Sequence, residues 1–582
     1  MALRDLLSCN QPPPSGESSD SDFDRNAIEN LDDKTVDTHS VPDSNGYDNE
    51  PQYPNKLNLF FIILSLNMAL FLVGLDNTII SSAIPKITDE FHALSDVGWY
   101  ASAYMLTTCS FQLMWGKLFT FYIVKWTWLV AMFIFEVGSL ICAVAPSSTV
   151  LVIGRAIAGV GTGGVSNGCF LLVAYSAPPR QRPTLIGMMG AMYGLAAIAG
   201  PLLGGVFTSS AKLTWRFCFY INLPLGFVCA LIVVFFMSSF SGGKTSKVGL
   251  KEQVKQMDIP GTLILLPAII CLLLALQWGG TKYPWDNGRI IALLVLAVVL
   301  LSVFVFVEYR SGERATLPFR VLKNRNIWGS SIFGSSVVAS FFTMLYYVCF
   351  CLLLVYVPRG LTFLLQIPIW FQAIKGATPI KSGVMTLPLV VSYVIFSFGT
   401  GSLTSVLGYY VQWAYLTVIL AAVGTGLLTT LKVDSSHAEW IGYQVLFGAG
   451  IGCGMQTAFS APQTALPLED IPVGTAIVMF VENLTSAIMV SVAQNVFTNQ
   501  LKTNLGEYAT AVDYGAIVSA GATELQTQVP EKLYQAVLFA YNKALDQTFY
   551  VGVALACLGI IGVLSLEWIS VKGKKATGSN DA

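Results

Sequence analysis

GAMYGLAAIAGPLLGG, residues 190–205, lies inside a long apolar run, and its reading decides the fold. Glycines at Gly190, Gly194, Gly200, Gly204 and Gly205 would weaken a soluble helix, whereas in a membrane helix they let a neighbouring backbone come close. Pro201 removes one helical hydrogen bond and bends the segment. A bent, glycine-lined helix among many apolar spans points to a transporter.

The whole chain agrees with a bilayer. It has 582 residues, 54% of them hydrophobic and 12% charged, with a mean hydropathy of +0.63. A soluble domain carries roughly 25% charged residues. A net charge of -1 gives no footprint for nucleic acid. The 11 cysteines are scattered through apolar spans with no CxxC or Cys/His cluster, so they read as small packing residues and no metal or other cofactor is expected. Residues 1–55 are Ser-, Asp-, Asn- and Pro-rich and read as a disordered tail. No basic stretch leads into an apolar one there, so a cleaved signal peptide is not expected.

Beyond residue 55 the pattern predicts about fourteen spans of roughly 20 residues. They fall near 57–82, 97–118, 127–145, 150–174, 184–208, 217–238, 259–279, 289–309, 327–372, 383–401, 409–430, 441–462, 474–496 and 548–570. With the N-tail inside, Lys117, Lys125, Arg180, Arg182, Lys244, Lys247, Lys251, Lys255, Arg310, Arg314, Arg320, Lys323 and Arg325 fall on cytoplasmic loops. Lys572, Lys574 and Lys575 put the C-tail there too. The segment 499–547 is then a long outside loop, and 572–582 is the cytoplasmic C-tail.

Ionisable residues inside spans are the functional candidates. The first span ends LDNTIISSAIPKI, residues 75–87, with Asp76 followed by Asn77 and Thr78. The fourth contains GRAIAGVGTGG, residues 154–164, with Arg155 about 7 Å from its outer end at 1.5 Å per residue. Asp76 reaches a similar depth, so the two can pair. Protonating Asp76 would weaken the pair, which gives a charge switch for proton coupling; a wetted structural Asp76, or a static pair that fixes packing, stands beside that reading. Glu482, in VMFVENLTSAIMVSVAQNVF (478–497), sits about 12 Å into the thirteenth span. It is either a second proton or substrate site or a carboxylate paired locally or facing water. Glu136 in the third span leaves the same choice open. The aromatic content suits an apolar cavity for amphipathic organic molecules, although aromatics also gather at membrane interfaces.

These motifs carry a resemblance. The chain resembles the major facilitator superfamily, in its fungal fourteen-span drug:proton antiporter branch, on LDNTIISSAIPKI, GRAIAGVGTGG, GAMYGLAAIAGPLLGG and WRFCFYINLPLG (215–226), with IWFQAIKGATPIKSGV (369–384) later on. The resemblance implies an all-α polytopic membrane protein of the major facilitator fold: a six-helix bundle over 56–240, a loop and two extra helices over 241–310, and a second bundle over 311–571. It further implies internal repeats and alternating access, proton coupling through Arg155, and an antiporter face on the fifth helix. The loop after the second helix departs from the family pattern. It reads GKLFTFYIVKW, residues 116–126: Gly116, Lys117 and Lys125 are present, but Thr120 stands where an acid is usual. An acid-based lock between the bundles is not expected here.

The run at 327–372 is too long for one span. The family pattern would join Tyr347 to Ile367, giving LYYIPIWFQAIKG. We read 348–366 as a translated intron. Val348-Cys349 can encode GTATGT, Leu361-Thr362 a branch sequence and Gln366 a CAG acceptor, over about 57 nucleotides in frame. The competing reading is a genuine re-entrant insertion.

The expected function is secondary active export of a small organic molecule (a toxin, secondary metabolite or drug) in exchange for protons. It would work as a monomer in the lipid bilayer, at the plasma membrane or the vacuole, and not as an enzyme. No GxxxxGK[ST] is present; Gly243-Lys244-Thr245 has Ser238 in place of the first glycine. Proton-coupled uptake of a chelate or nutrient is the alternative, and a polytopic sensor or membrane enzyme the third. Only three histidines occur, dispersed at His39, His92 and His437.

Overall fold

The computed structural model describes residues 53–93, 96–210, 213–237, 258–280, 283–347, 379–509 and 531–572. The N-tail to residue 52, the lysine-bearing loop 238–257, the 348–366 segment and the C-tail lysines 574 and 575 lie outside them.

The described residues form long helices, with no strand of a sheet among them. We number them α1 (Lys56–Phe91), α2 (Val97–Phe121), α3 (Val124–Ala143), α4 (Ser148–Ser176), α5 (Arg182–Ser209), α6 (Phe217–Phe236), α7 (Ile259–Trp278), α8 (Gly288–Ser311), α9 (Arg325–Tyr347), α10 (Pro379–Leu407), α11 (Val411–Leu428), α12 (His437–Gly454), α13 (Ile471–Tyr508) and α14 (Glu531–Ser565). Twelve are long and apolar enough to cross a membrane; α2 and α12, with 25 and 18 residues, are the two more polar ones. Local signals set several boundaries. Ser147 caps α4, Asn287 caps α8, and Ser436 with Glu439 forms a capping box on α12. The outside loop expected at 499–547 is shorter at both ends. α13 runs on to Tyr508 and α14 begins at Glu531, because helices continue past the apolar slab; α13 alone is about 57 Å long.

Packing shows the internal repeat. In the first half α1 packs on α5 and α6, α4 on α2 and α3, and α3 on α6. In the second half α9 packs on α13 and α14, α12 on α10 and α11, and α11 on α14. Each pairing has its counterpart eight helices later. Glycines allow the same close approach in both halves: a Cβ on Gly138 would collide with the α4 backbone at Ala158, and one on Gly424 would stand 2.7 Å from Cα of Phe447 on α12. Among the described residues the halves meet chiefly at two crossings, α5 on α10 and α2 on α13, which exchange under the same repeat, with a smaller contact of α4 on α13. The extra pair α7–α8 lies against this seam, with α7 on α2 and α13.

Candidate functional site

The first bundle encloses a charged cluster. Arg155 Nη1 lies 2.5 Å from Asp76 Oδ2, and neither side chain is exposed. Asp76 therefore has no contact with water at the outer interface. Arg155 Nε donates to the Tyr100 carbonyl at 2.8 Å, and its guanidinium lies over the Tyr104 ring, 4.1 Å from the centroid. The Tyr104 hydroxyl accepts from Thr162 at 2.8 Å. Asn222 donates Nδ2 to Asp76 Oδ1 at 3.1 Å and reaches Ser139 Oγ at 3.2 Å. Five helices thus converge on one ion pair. Arg155 Nη2 and Asn222 Oδ1 remain buried with no partner in the structure.

The sequence named Asp76 and Arg155 but missed Asn222, Tyr100 and Tyr104. Asn222 had a signal, an amide inside an apolar helix. Tyr100 contributes a backbone carbonyl, for which no side-chain pattern exists. Asn77, next to Asp76, points elsewhere and donates to the Tyr193 hydroxyl at 3.5 Å.

Glu482 stands apart, in the second bundle. It is 5% exposed, its carboxyl lies where a side chain on Gly334 of α9 would be, and its Oε1 meets no donor among the described residues. It neither pairs locally through that oxygen nor faces water.

The glycine motif divides between two neighbours. Gly190 and Gly194 face the other bundle: a Cβ at Gly190 would stand 2.6 Å from Ser397 Oγ, and one at Gly194 2.7 Å from the Tyr393 ring. Gly200 and Gly204 face α1, where a Cβ would collide with Thr78 and Ser82. Pro201 lies inside α5, and Gly205 is buried, its carbonyl accepting from Thr208. Below the motif, Ser397 Oγ donates to the Gly187 carbonyl at 3.0 Å, and the Thr184 and Ser405 hydroxyls lie 2.7 Å apart. Gln463 Nε2 donates to the Phe170 carbonyl at 3.2 Å, and Phe170 stacks on Phe459. All join the ends that the Lys/Arg pattern assigns to the cytoplasm.

The stretch read as a loop over 116–126 is mostly helix: α2 continues to Phe121 and α3 begins at Val124, so Gly116, Lys117 and Thr120 lie on α2 and Lys125 on α3. A Cβ on Gly116 would stand 2.6 Å from Ala476 of α13, so this end of α2 reaches the other bundle through packing. Lys117 is buried. Lys125 Nζ donates to the Val234 and Met237 carbonyls, at 2.8 and 2.7 Å, at the end of α6. Thr120 closes on the Gly116 carbonyl of its own helix.

Two pseudo-repeated six-helix bundles, two interposed helices and ionisable groups buried at helix crossings define a multi-pass membrane transporter. The Major Facilitator Superfamily model matches residues 66–490, and the chain belongs to that family. It is 47% identical over 519 residues to the MFS-type efflux pump MFS1 of Arthroderma benhamiae, covering 89% of this chain and 93% of that one. It is 45% identical over 517 residues to the efflux pump aflT of Aspergillus parasiticus (89% and 96%) and 45% over 526 residues to the rubrofusarin-specific efflux pump aurT of Gibberella zeae (90% and 92%). Among solved structures, the proton:xylose symporter XylE matches with a TM-score of 0.54 at 12% identity, covering 88% of this chain and 95% of that one, and so shares the fold.

Proposed function

We propose that this transporter exports a small organic molecule, a secondary metabolite, toxin or drug, in exchange for protons. The observation that carries the reading is the enclosed Asp76–Arg155 pair. A buried acid neutralised by one arginine and hydrogen-bonded by one amide is a two-state element: ionised it holds α1 to α4 and α6, and protonated it releases Arg155. Asp76 is the proton carrier and Arg155 its partner. The relatives named as efflux pumps support the outward direction.

The conformation supports alternating access. With the N-tail inside, the α5–α10 and α2–α13 contacts seal the cytoplasmic side, and Gly190 and Gly194 let the two bundles meet without a gap. Glu482, buried in the second bundle, is a further proton or substrate site. The protein works as a monomer in the plasma membrane.

Cells making the chain should retain less of an amphipathic fluorescent dye than cells without it, and a protonophore should remove the difference. Equal retention with and without the protonophore would overturn proton exchange.

A further inference from the structure

A second acid lies in the same bundle, and the Asp76–Arg155 pair does not use it. Glu136 is on α3, one turn before Ser139, so the two share a helix face. Ser139 is joined through Asn222 to Asp76. One turn beyond Asn222 on α6 is Gly226, and the Glu136 carboxyl fills the space where a side chain there would be. Glycine at 226 is what admits the acid. Both carboxyl oxygens are out of solvent and meet no hydrogen-bond donor among the described residues.

The two acids differ in compensation. Asp76 has a guanidinium and an amide; Glu136 has neither. A buried ionised carboxyl without a donor is costly, while the protonated acid is neutral. The titratable and charged groups around it on the packed helices are Asp76 on α1, Cys229 on α6 and, behind Asp76, Arg155 on α4 with Tyr104 of α2 on its other face. Among the described residues no cation donates to Glu136.

We propose that Glu136 is a second proton-binding residue of the transport cycle, holding a proton while Asp76 is ionised and paired with Arg155. The role rests on the proton-exchange reading above. In the exchange the O–H bond at a Glu136 carboxyl oxygen breaks and one forms at Asp76 Oδ1. The negative charge moves from Asp76 to Glu136, and no other reactant is consumed. Two sites whose surroundings favour opposite protonation states are suited to passing one proton.

The test uses the full chain in liposomes, with rhodamine 6G as the probe, a pH gradient as the drive and infrared detection of carboxylic-acid groups. At neutral pH the acid C=O absorption should contain a Glu136 component that persists in D76N and is lost in E136Q, whatever Glu482 contributes remaining in both. Gradient-driven rhodamine 6G movement should fall about tenfold or more in E136Q, with an altered pH profile, and recover in E136D. An unchanged band in E136Q, a wild-type pH profile in E136Q, or a loss that E136D does not restore would overturn the role, the last marking a packing role over Gly226. If the unmodified protein moves the probe without regard to the gradient, the proton-exchange reading falls and this role with it. A gradient-driven unmodified protein beside an unaffected E136Q overturns this role alone.

Discussion

Asp76 and Arg155, 79 residues apart in sequence, meet at 2.5 Å with both side chains fully enclosed. Such a pair is costly to halve: removing one partner of a buried ion pair destabilises by about 3–5 kcal/mol, while removing both costs far less. D76N and R155Q should therefore each lower the unfolding temperature in lipid nanodiscs, and the double variant should lose less than the sum. Additive losses would mean that the two groups do not act on each other.

The split glycine face gives a second expectation. Gly187 meets α10, where an added Cβ would stand 2.5 Å from the Ser397 carbonyl, whereas Gly204 meets α1 of its own bundle. G187A should open the cytoplasmic contact and raise alkylation of a cysteine introduced beside it, with little change in unfolding temperature. G204A should do the reverse. Matching effects of the two variants would contradict the division.

At the far end of α1, Glu90 accepts from Trp215 Nε1 at 2.6 Å and Arg216 Nη2 at 2.7 Å. Partial burial pushes its carboxyl up, but the two hydrogen bonds and the Arg216 charge together hold it below the usual range. A carboxyl depressed in the folded state contributes stability above its unfolded value, about pH 4.3, and that contribution is lost as pH falls through the lower folded value. Unfolding temperature should drop below about pH 4 in the unmodified protein, and this part of the drop should be missing in E90Q. Identical acid profiles would mean that the Glu90 contacts contribute nothing to acid stability.

Residues 348–366 carry a prediction of their own. α9, at 23 residues, is long enough to cross by itself up to Tyr347. Transcripts across the codons for Tyr347 and Ile367 should lack the intervening codons, and the shorter protein should insert and transport. A main transcript that keeps them would make the segment a true insertion.

Much of the fold was legible because membrane helices announce themselves by length and apolarity: the spans expected at 217–238, 259–279 and 289–309 match α6, α7 and α8 within two residues at each end. Helix ends beyond the slab were not, since nothing in hydropathy separates a projecting helix such as Asp89–Glu90–Phe91 from a loop. Asp76 and Arg155 stood out as charges in apolar helices. Their pairing with neighbours was not legible, because Tyr100 acts through its backbone and Asn222, visible as an amide in an apolar helix, lies 146 residues from Asp76 in sequence. The two directions of the glycine motif depend on which helices flank α5, a tertiary fact that spacing alone does not contain.

Asp76 is proposed to couple transport to protons. The most direct test is rhodamine 6G movement in liposomes holding the purified chain, driven by an imposed pH gradient, in the unmodified, D76N and D76E proteins. Gradient-driven movement that a protonophore abolishes is expected in the unmodified protein, with its loss in D76N and at least partial recovery in D76E. Gradient-driven movement in D76N at the unmodified rate would contradict it.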